Sequence, residues 1–293
     1  MDRLTDAKLG WLIAALVLHV SGQACRGLAW RGVLHAAWPG VTRRRACAWH
    51  MCGAGLTGVL SVRGGDAVRM ALAKRELPKA TWAALAGTLA VEGSFEVVCG
   101  LMLTFAAAWL GISSLGAPSP ALIAGAFVAA AAIAVLAARS ARVRGIVREV
   151  RRGFAVLQDR RRWLREVLPW QVAARLLRFA AVACFLLTFG LPAAPAVVIA
   201  ACAAQGSGAI VPLPGAGPAT WAAALLVTLP IAAGHSIPAG SVAALAVVQP
   251  LMLTLVGVTT SLGMLAMLSG ARTPRSLARA VWALRPQPTP AAP

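Results

Sequence analysis

The chain has 293 residues, 59% of them hydrophobic, and a mean hydropathy of +0.75. It carries 28 Lys and Arg against 9 Asp and Glu, a net charge of +19. So many apolar runs exclude an ordinary soluble domain and predict an all-α, polytopic integral membrane protein, whose stability comes from helix packing in lipid.

In chain order, the apolar run 9–28 predicts a first span, with Arg26, Trp30 and Arg31 as an interfacial anchor set. No small-residue cleavage site precedes a mature domain, so an uncleaved span is expected rather than a signal peptide. Arg43, Arg44 and Arg45 mark the cytoplasmic side. Residues 46–60 are apolar but shorter than the roughly 20 residues a span needs. They contain Gly53, Gly55 and Gly58 and have basic flanks. We expect a re-entrant hairpin over 46–66, with residues 63–66 at its turn or exit.

Residues 80–110 predict an outward span that starts after Pro78 and ends at Trp109 and Gly111. Glu92 and Glu96 lie within it. A carboxylate at the centre of a membrane helix costs roughly 2.5–3.5 kcal/mol even on lenient scales. A spacing of four puts both on one face. They are therefore expected to face protein, water or a ligand. Two readings stand: a structural pair neutralised by arginine or protonation, or part of a transport or lipid-handling site.

Residues 121–138 predict the return span. The segment 139–166 is very basic, with Val143, Ile146, Val147, Val150, Phe154 and Leu157 at helical spacing. It reads as an amphipathic helix on the inner leaflet, the alternative being a solvated charged loop. Residues 167–189 predict an outward span containing Arg175 and Arg178. These two arginines either pair with Glu92 and Glu96 or snorkel to the inner interface.

Residues 196–211 and 220–229 flank a run containing Pro212, Pro214, Gly215, Gly217 and Pro218. Such a run cannot continue a helix. Its backbone groups need partners, so it is expected to be buried in protein or to line a wet cavity, as a second broken hairpin over 196–229. Residues 241–268 predict the final inward span, and 269–293 a cytoplasmic tail.

The whole chain, 1–293, then reads as a single membrane domain. Its halves, 9–110 and 167–268, have opposite orientation around the linking span and the basic segment. Inverted repeats with discontinuous helices are typical of transporters. Basic residues crowd into 26–45, 63–79, 139–165 and 272–285, while the breaks 111–120, 190–195 and 231–239 hold no Lys or Arg. That pattern follows the positive-inside rule and argues against a nucleic-acid partner. It sets the N-terminus outside and the C-terminus in the cytoplasm. The Ala- and Arg-rich composition points to a bacterial plasma membrane.

The cysteines Cys25, Cys47, Cys52, Cys99, Cys184 and Cys202 form no CxxC pair and read as free small hydrophobes. His50 with Cys47 and Cys52 is a weak metal pattern, and no metal or cofactor is expected. The sequence holds no Ser/His/Asp set, zinc motif or DxxD-type pair, so no enzyme activity is expected.

Three motifs carry a resemblance. The first is Thr57-Gly58-Val59-Leu60-Ser61-Val62-Arg63-Gly64-Gly65-Asp66-Ala67-Val68-Arg69, the second Leu89-Ala90-Val91-Glu92-Gly93-Ser94-Phe95-Glu96, and the third Val211-Pro212-Leu213-Pro214-Gly215-Ala216-Gly217. In this order the chain, over about 9–268, resembles the flippase-like transmembrane domain of lysylphosphatidylglycerol synthases. Arg63, Gly65, Asp66, Arg69, Glu92, Glu96, Pro214 and Gly215 fit its motifs. Thr57 stands where that family has Asn, Ser61 where it has Pro, and Gly93 where an Arg is common. A Glu expected near Trp221 and an Arg expected near Gln249 are both missing, which fits the joint loss of a charge pair. The family commonly has one more preceding span. No aminoacyl-transferase domain follows residue 268, so lysyl transfer is not expected.

The resemblance implies translocation or binding of an anionic phospholipid or lipid-linked intermediate. Arg63 and Arg69 would attract the headgroup, and Asp66, Glu92 and Glu96 would line its path. Backbone N–H groups around Gly64, Gly65, Pro214, Gly215 and Gly217 would hold phosphate. The alternative is a non-transporting scaffold that binds lipid or a partner enzyme.

Overall fold

The structure is a computed structural model that describes residues 8–60, 62–77, 79–111, 145, 149–151, 153–207 and 216–270. Every regular element among the described residues is a helix. They are α1 (Leu9–Ala37), α2 (Arg43–Leu60), α3 (Val62–Glu76), α4 (Trp82–Trp109), α5 (Ala155–Gln158), α6 (Arg160–Thr188), α7 (Pro195–Ser207), α8 (Ala216–Ala233) and α9 (Ala239–Ser269). Four of them, α1, α4, α6 and α9, are long and apolar enough to cross a membrane.

The first helix runs past residue 28, where the sequence predicts its end, to Ala37. Arginine is a good helix former, and here each anchor residue finds a partner inside the bundle. Arg26 reaches Glu92, and Arg31 reaches Glu166 at 3.3 Å. Trp30 is fully buried instead of marking an interface. Helix α1 lies antiparallel to α6. The Lys8 amide donates to the Thr188 carbonyl at one end of the pair, and Arg31 meets Glu166 at the other.

The first hairpin is larger than predicted. Its second arm extends as α3 to Glu76, and Gly64, Gly65, Asp66 and Arg69 lie within that helix, not at a turn. The arms are antiparallel: Thr57 meets Gly65, Gly53 meets Arg69, and Trp49 donates to Glu76 at 3.1 Å. Gly65 stays helical despite its low propensity because only a hydrogen fits there; a Cβ on Gly53 would lie 2.5 Å from its carbonyl oxygen.

Helix α4 begins after Thr81, whose hydroxyl accepts from the Ala84 amide. The second hairpin has arms α7 and α8, which pack on each other. Gly217 falls in the first turn of α8, while Pro214 and Gly215 lie outside the described residues. The predicted span 121–138 and the tail from 271 also lie outside them.

Of the basic segment 139–166, residues 145, 149–151 and 153–166 are described. This portion is not one long surface helix. Val156 is fully buried, and the backbone at Val150 and Gly153 presses on Gly87 and Thr88 of α4. Of the apolar positions at helical spacing, Val150 and Phe154 are partly buried and Leu157 is exposed, while Val143, Ile146 and Val147 lie outside the described residues. A wide π turn, Trp163–Val167, then leads into the rest of α6.

Two apolar cores divide the bundle. One gathers Phe185, Leu186, Leu225, Leu229 and Leu245; the other gathers Trp30, Leu34, Trp49, Leu85, Val156 and Leu265. Along α1 the first core reaches Leu18 and the second starts at Ala29. Along α4 the bounding residues are Leu103 and Val91, and along α6 they are Phe179 and Trp170. The gap on α1 is roughly 16 Å of helix, and polar side chains fill it.

Candidate functional site

Arg26 on α1, Glu92 and Glu96 on α4, and Arg175 and Arg178 on α6 all fall between the two cores. Glu92 is 2% exposed and takes two arginines. Arg69 Nη1 donates to its Oε2 at 2.7 Å, and Arg26 Nη2 donates to its Oε1 at 3.1 Å. Arg69 also contacts Asp66 at 2.8 Å, one turn earlier on α3. Arg26 reaches on to Glu96 at 3.7 Å, and Glu96 pairs with Arg175. Asp66, Arg69, Glu92, Arg26, Glu96 and Arg175 thus form a continuous line of alternating charge across α3, α4, α1 and α6.

Neutral groups fix the geometry of this line. The Trp30 ring stacks under Arg69, whose guanidinium carbon is 5.2 Å from the ring centroid. The Trp30 indole N–H donates to Thr88 at 3.0 Å. His50 is buried, and its Nδ1 lies 2.9 Å from Arg69 Nη1. Arginine only donates, so His50 Nδ1 accepts and the ring proton sits on Nε2. That nitrogen in turn faces Gln23 Oε1 at 3.2 Å.

Arg175 pairs with Glu96, whereas Glu92 takes Arg69 and Arg26 and neither Arg175 nor Arg178. Glu92 lies four residues, about 6 Å, nearer the hairpin end of α4, where α1 and α3 supply the cations. Arg178 instead donates to Gln205 Oε1 on α7 at 2.8 Å. Arg63 lies in the first turn of α3. Sequence reading missed Arg26, His50, Gln23 and Gln205 as members of the site. For Arg26 a signal existed, because a charge so deep in a long apolar helix needs a partner.

A cavity of about 190 Å³ opens beside the charged line, between α1, α4, α6, α7 and α9. His19, Gln23, Arg26, Glu96, Arg175, Arg178, Gln205 and Gln249 supply its polar wall. A second cavity, about 260 Å³, shares His19, Gln23 and Leu253 with the first. It continues between α2 and α9 past Thr57, Thr254 and Thr260. There α2 and α9 cross nearly backbone to backbone at Gly55 and Gly257, and Ser261 donates to the Met51 and Cys52 carbonyls.

All six cysteines are free, and among the described residues no His, Cys, Asp and Glu cluster is arranged to hold a metal. Cys47 faces the Ala24 carbonyl and Cys52 the Ser261 carbonyl, so His50 and these thiols turn to different partners. No family model, curated protein or solved structure matches this chain.

Proposed function

We propose that this chain is a flippase-like membrane domain, similar to that of lysylphosphatidylglycerol synthases, that binds and moves an anionic lipid or lipid-linked intermediate across a bacterial plasma membrane. The observation that carries the reading is the polar layer between two apolar cores, with charged residues lining a cavity within it. Placing three arginines and two carboxylates in that layer, with Arg69 and Asp66 at its edge, is costly for a protein that only needs to span a bilayer. A polar headgroup crossing the membrane needs such a layer, and its acyl chains need the apolar surroundings.

The helix pairings support an inverted repeat. If α1, α2, α3 and α4 correspond to α6, α7, α8 and α9, the pairing of α1 with α6 maps onto itself. The pairing of α2 with α9 maps onto that of α7 with α4, and both occur. The two hairpins, α2 with α3 and α7 with α8, are likewise related. Re-entrant placement of both hairpins would bring their tips toward the polar layer from opposite sides, the arrangement of alternating-access carriers. Basic residues Arg43–Arg45 and Arg160–Arg162 near one end of the α1–α6 pair support a cytoplasmic location for that end.

The test is a scrambling assay with purified protein in liposomes containing fluorescent headgroup-labelled phosphatidylglycerol and an external quencher. Wild-type protein should expose inner-leaflet label, and Glu96→Gln should slow that exposure. Vesicles indistinguishable from protein-free ones, for this lipid and for a lipid-linked phosphate, would sink the transport reading. One observation favours the non-transporting scaffold as a second reading. Glu92 is locked by two arginines and buried, as a structural pin would be. A scaffold should retain its lipid or partner when Glu92 and Glu96 are both made Gln.

A further inference from the structure

Among the described side chains, the cations and anions of the polar layer do not balance. Arg26, Arg69 and Arg175 are matched by Glu92, Asp66 and Glu96. Arg178 lines the same cavity and has no carboxylate within ion-pair distance among the described residues. Its described hydrogen bond goes to a neutral amide oxygen, Gln205 Oε1. One of five guanidinium N–H groups is used there. A guanidinium in such a layer without a counter-charge is costly, and arginine does not give up its proton to escape that cost.

We propose that Arg178, with Gln205 fixing its orientation and Arg175 beside it, anchors one singly charged phosphodiester group. This rests on the lipid-handling reading above and names the chemistry that the site takes. Among the described side chains the excess charge is one, which matches a phosphodiester better than a doubly charged phosphomonoester. Arg175 lies one turn earlier on the same helix face and is held by Glu96. An arriving anion competes with Glu96 for Arg175, so binding loosens the link between α4 and α6. Two sources carry this group: the headgroup of a glycerophospholipid, or a soluble glycerophosphodiester.

The experiment is native mass spectrometry of the full chain in detergent, titrated separately with phosphatidylglycerol, diacylglycerol and glycerophosphoglycerol. Wild-type protein should retain phosphatidylglycerol and release diacylglycerol, which has the chains without the phosphate. Retention of glycerophosphoglycerol at similar concentration would assign the soluble source. Arg178→Gln should weaken phosphodiester retention by about tenfold or more.

Gln205→Glu provides a second variant that keeps Arg178. It sets a carboxylate where the amide oxygen now accepts, so it should raise the melting temperature of lipid-free protein and also weaken retention. Wild-type retention unchanged in both variants would overturn the Arg178 assignment while leaving the lipid-handling reading in place. No retention of any phosphodiester by wild type would overturn both.

Discussion

Arg69 donates to Glu92 at 2.7 Å across the contact between α3 and α4. Both side chains are buried. The pair fastens the first hairpin to a membrane-length helix and also closes one end of the polar layer. Removing one partner leaves a charge that neither water nor lipid can solvate.

Glu92→Gln should therefore destabilise the protein by about 3 kcal/mol, the low end for a broken buried pair, because Asp66 and Glu96 still neutralise part of the freed charge. Arg69→Gln should cost a similar amount. The double variant should lose much less than the sum of the two, since the mutual penalty vanishes. Thermal unfolding of the four proteins in one detergent measures this, and strictly additive losses would argue that the pair contributes nothing.

Gly55→Ala should be strongly destabilising, because its methyl would overlap the Gly257 carbonyl oxygen and the Ser261 hydroxyl. The expected loss is about 1–3 kcal/mol from overpacking at a rigid crossing. Gly10→Ala is the control. Nothing lies within 4 Å of its would-be Cβ, so that variant should melt no lower than wild type. Equal melting of both variants would mean that α2 and α9 do not cross at Gly55.

Trp30→Phe keeps a ring beneath Arg69 but removes the N–H that bonds Thr88. Thr88 Oγ1 retains its own bond to the Leu85 carbonyl. A loss of about 1–2 kcal/mol is expected, against a larger loss for Trp30→Leu, which also removes the cation–π contact. If Phe and Leu are equally costly, the ring's face does not hold Arg69.

The proposed orientation sets which loops meet an impermeant thiol reagent. With native cysteines replaced by serine or alanine, Ser236→Cys should react in intact cells, since Ser236 is exposed between α8 and α9. Arg44→Cys, exposed at the start of α2, should react only after the membrane is opened. The reverse pattern would invert the topology.

The four membrane-length helices were legible in the sequence because each is a long apolar run, and length and hydropathy are local properties. The acid pair on one face of α4 was legible for the same reason, since a spacing of four fixes relative direction on any helix. Ends of elements were less legible. Arg26 and Arg31 looked like a boundary because a charge in lipid is costly, yet the cost disappears when Glu92 and Glu166 face them.

By itself, then, the sequence determined a helical membrane-type chain with basic residues in a few clusters and acids in one apolar helix. Only the tertiary structure decided the partners. Arg26 meets Glu92 across 66 positions of chain, and Arg175 meets Glu96 across 79. Such pairings depend on how far each helix is rotated and shifted along its neighbour. No periodicity within a single helix encodes that, because it is set by close approaches such as Gly55 against Gly257 and Gly53 against Gly65. The charge excess at Arg178 follows from the same placement: it becomes visible only when each described carboxylate near the cavity has been assigned to another arginine.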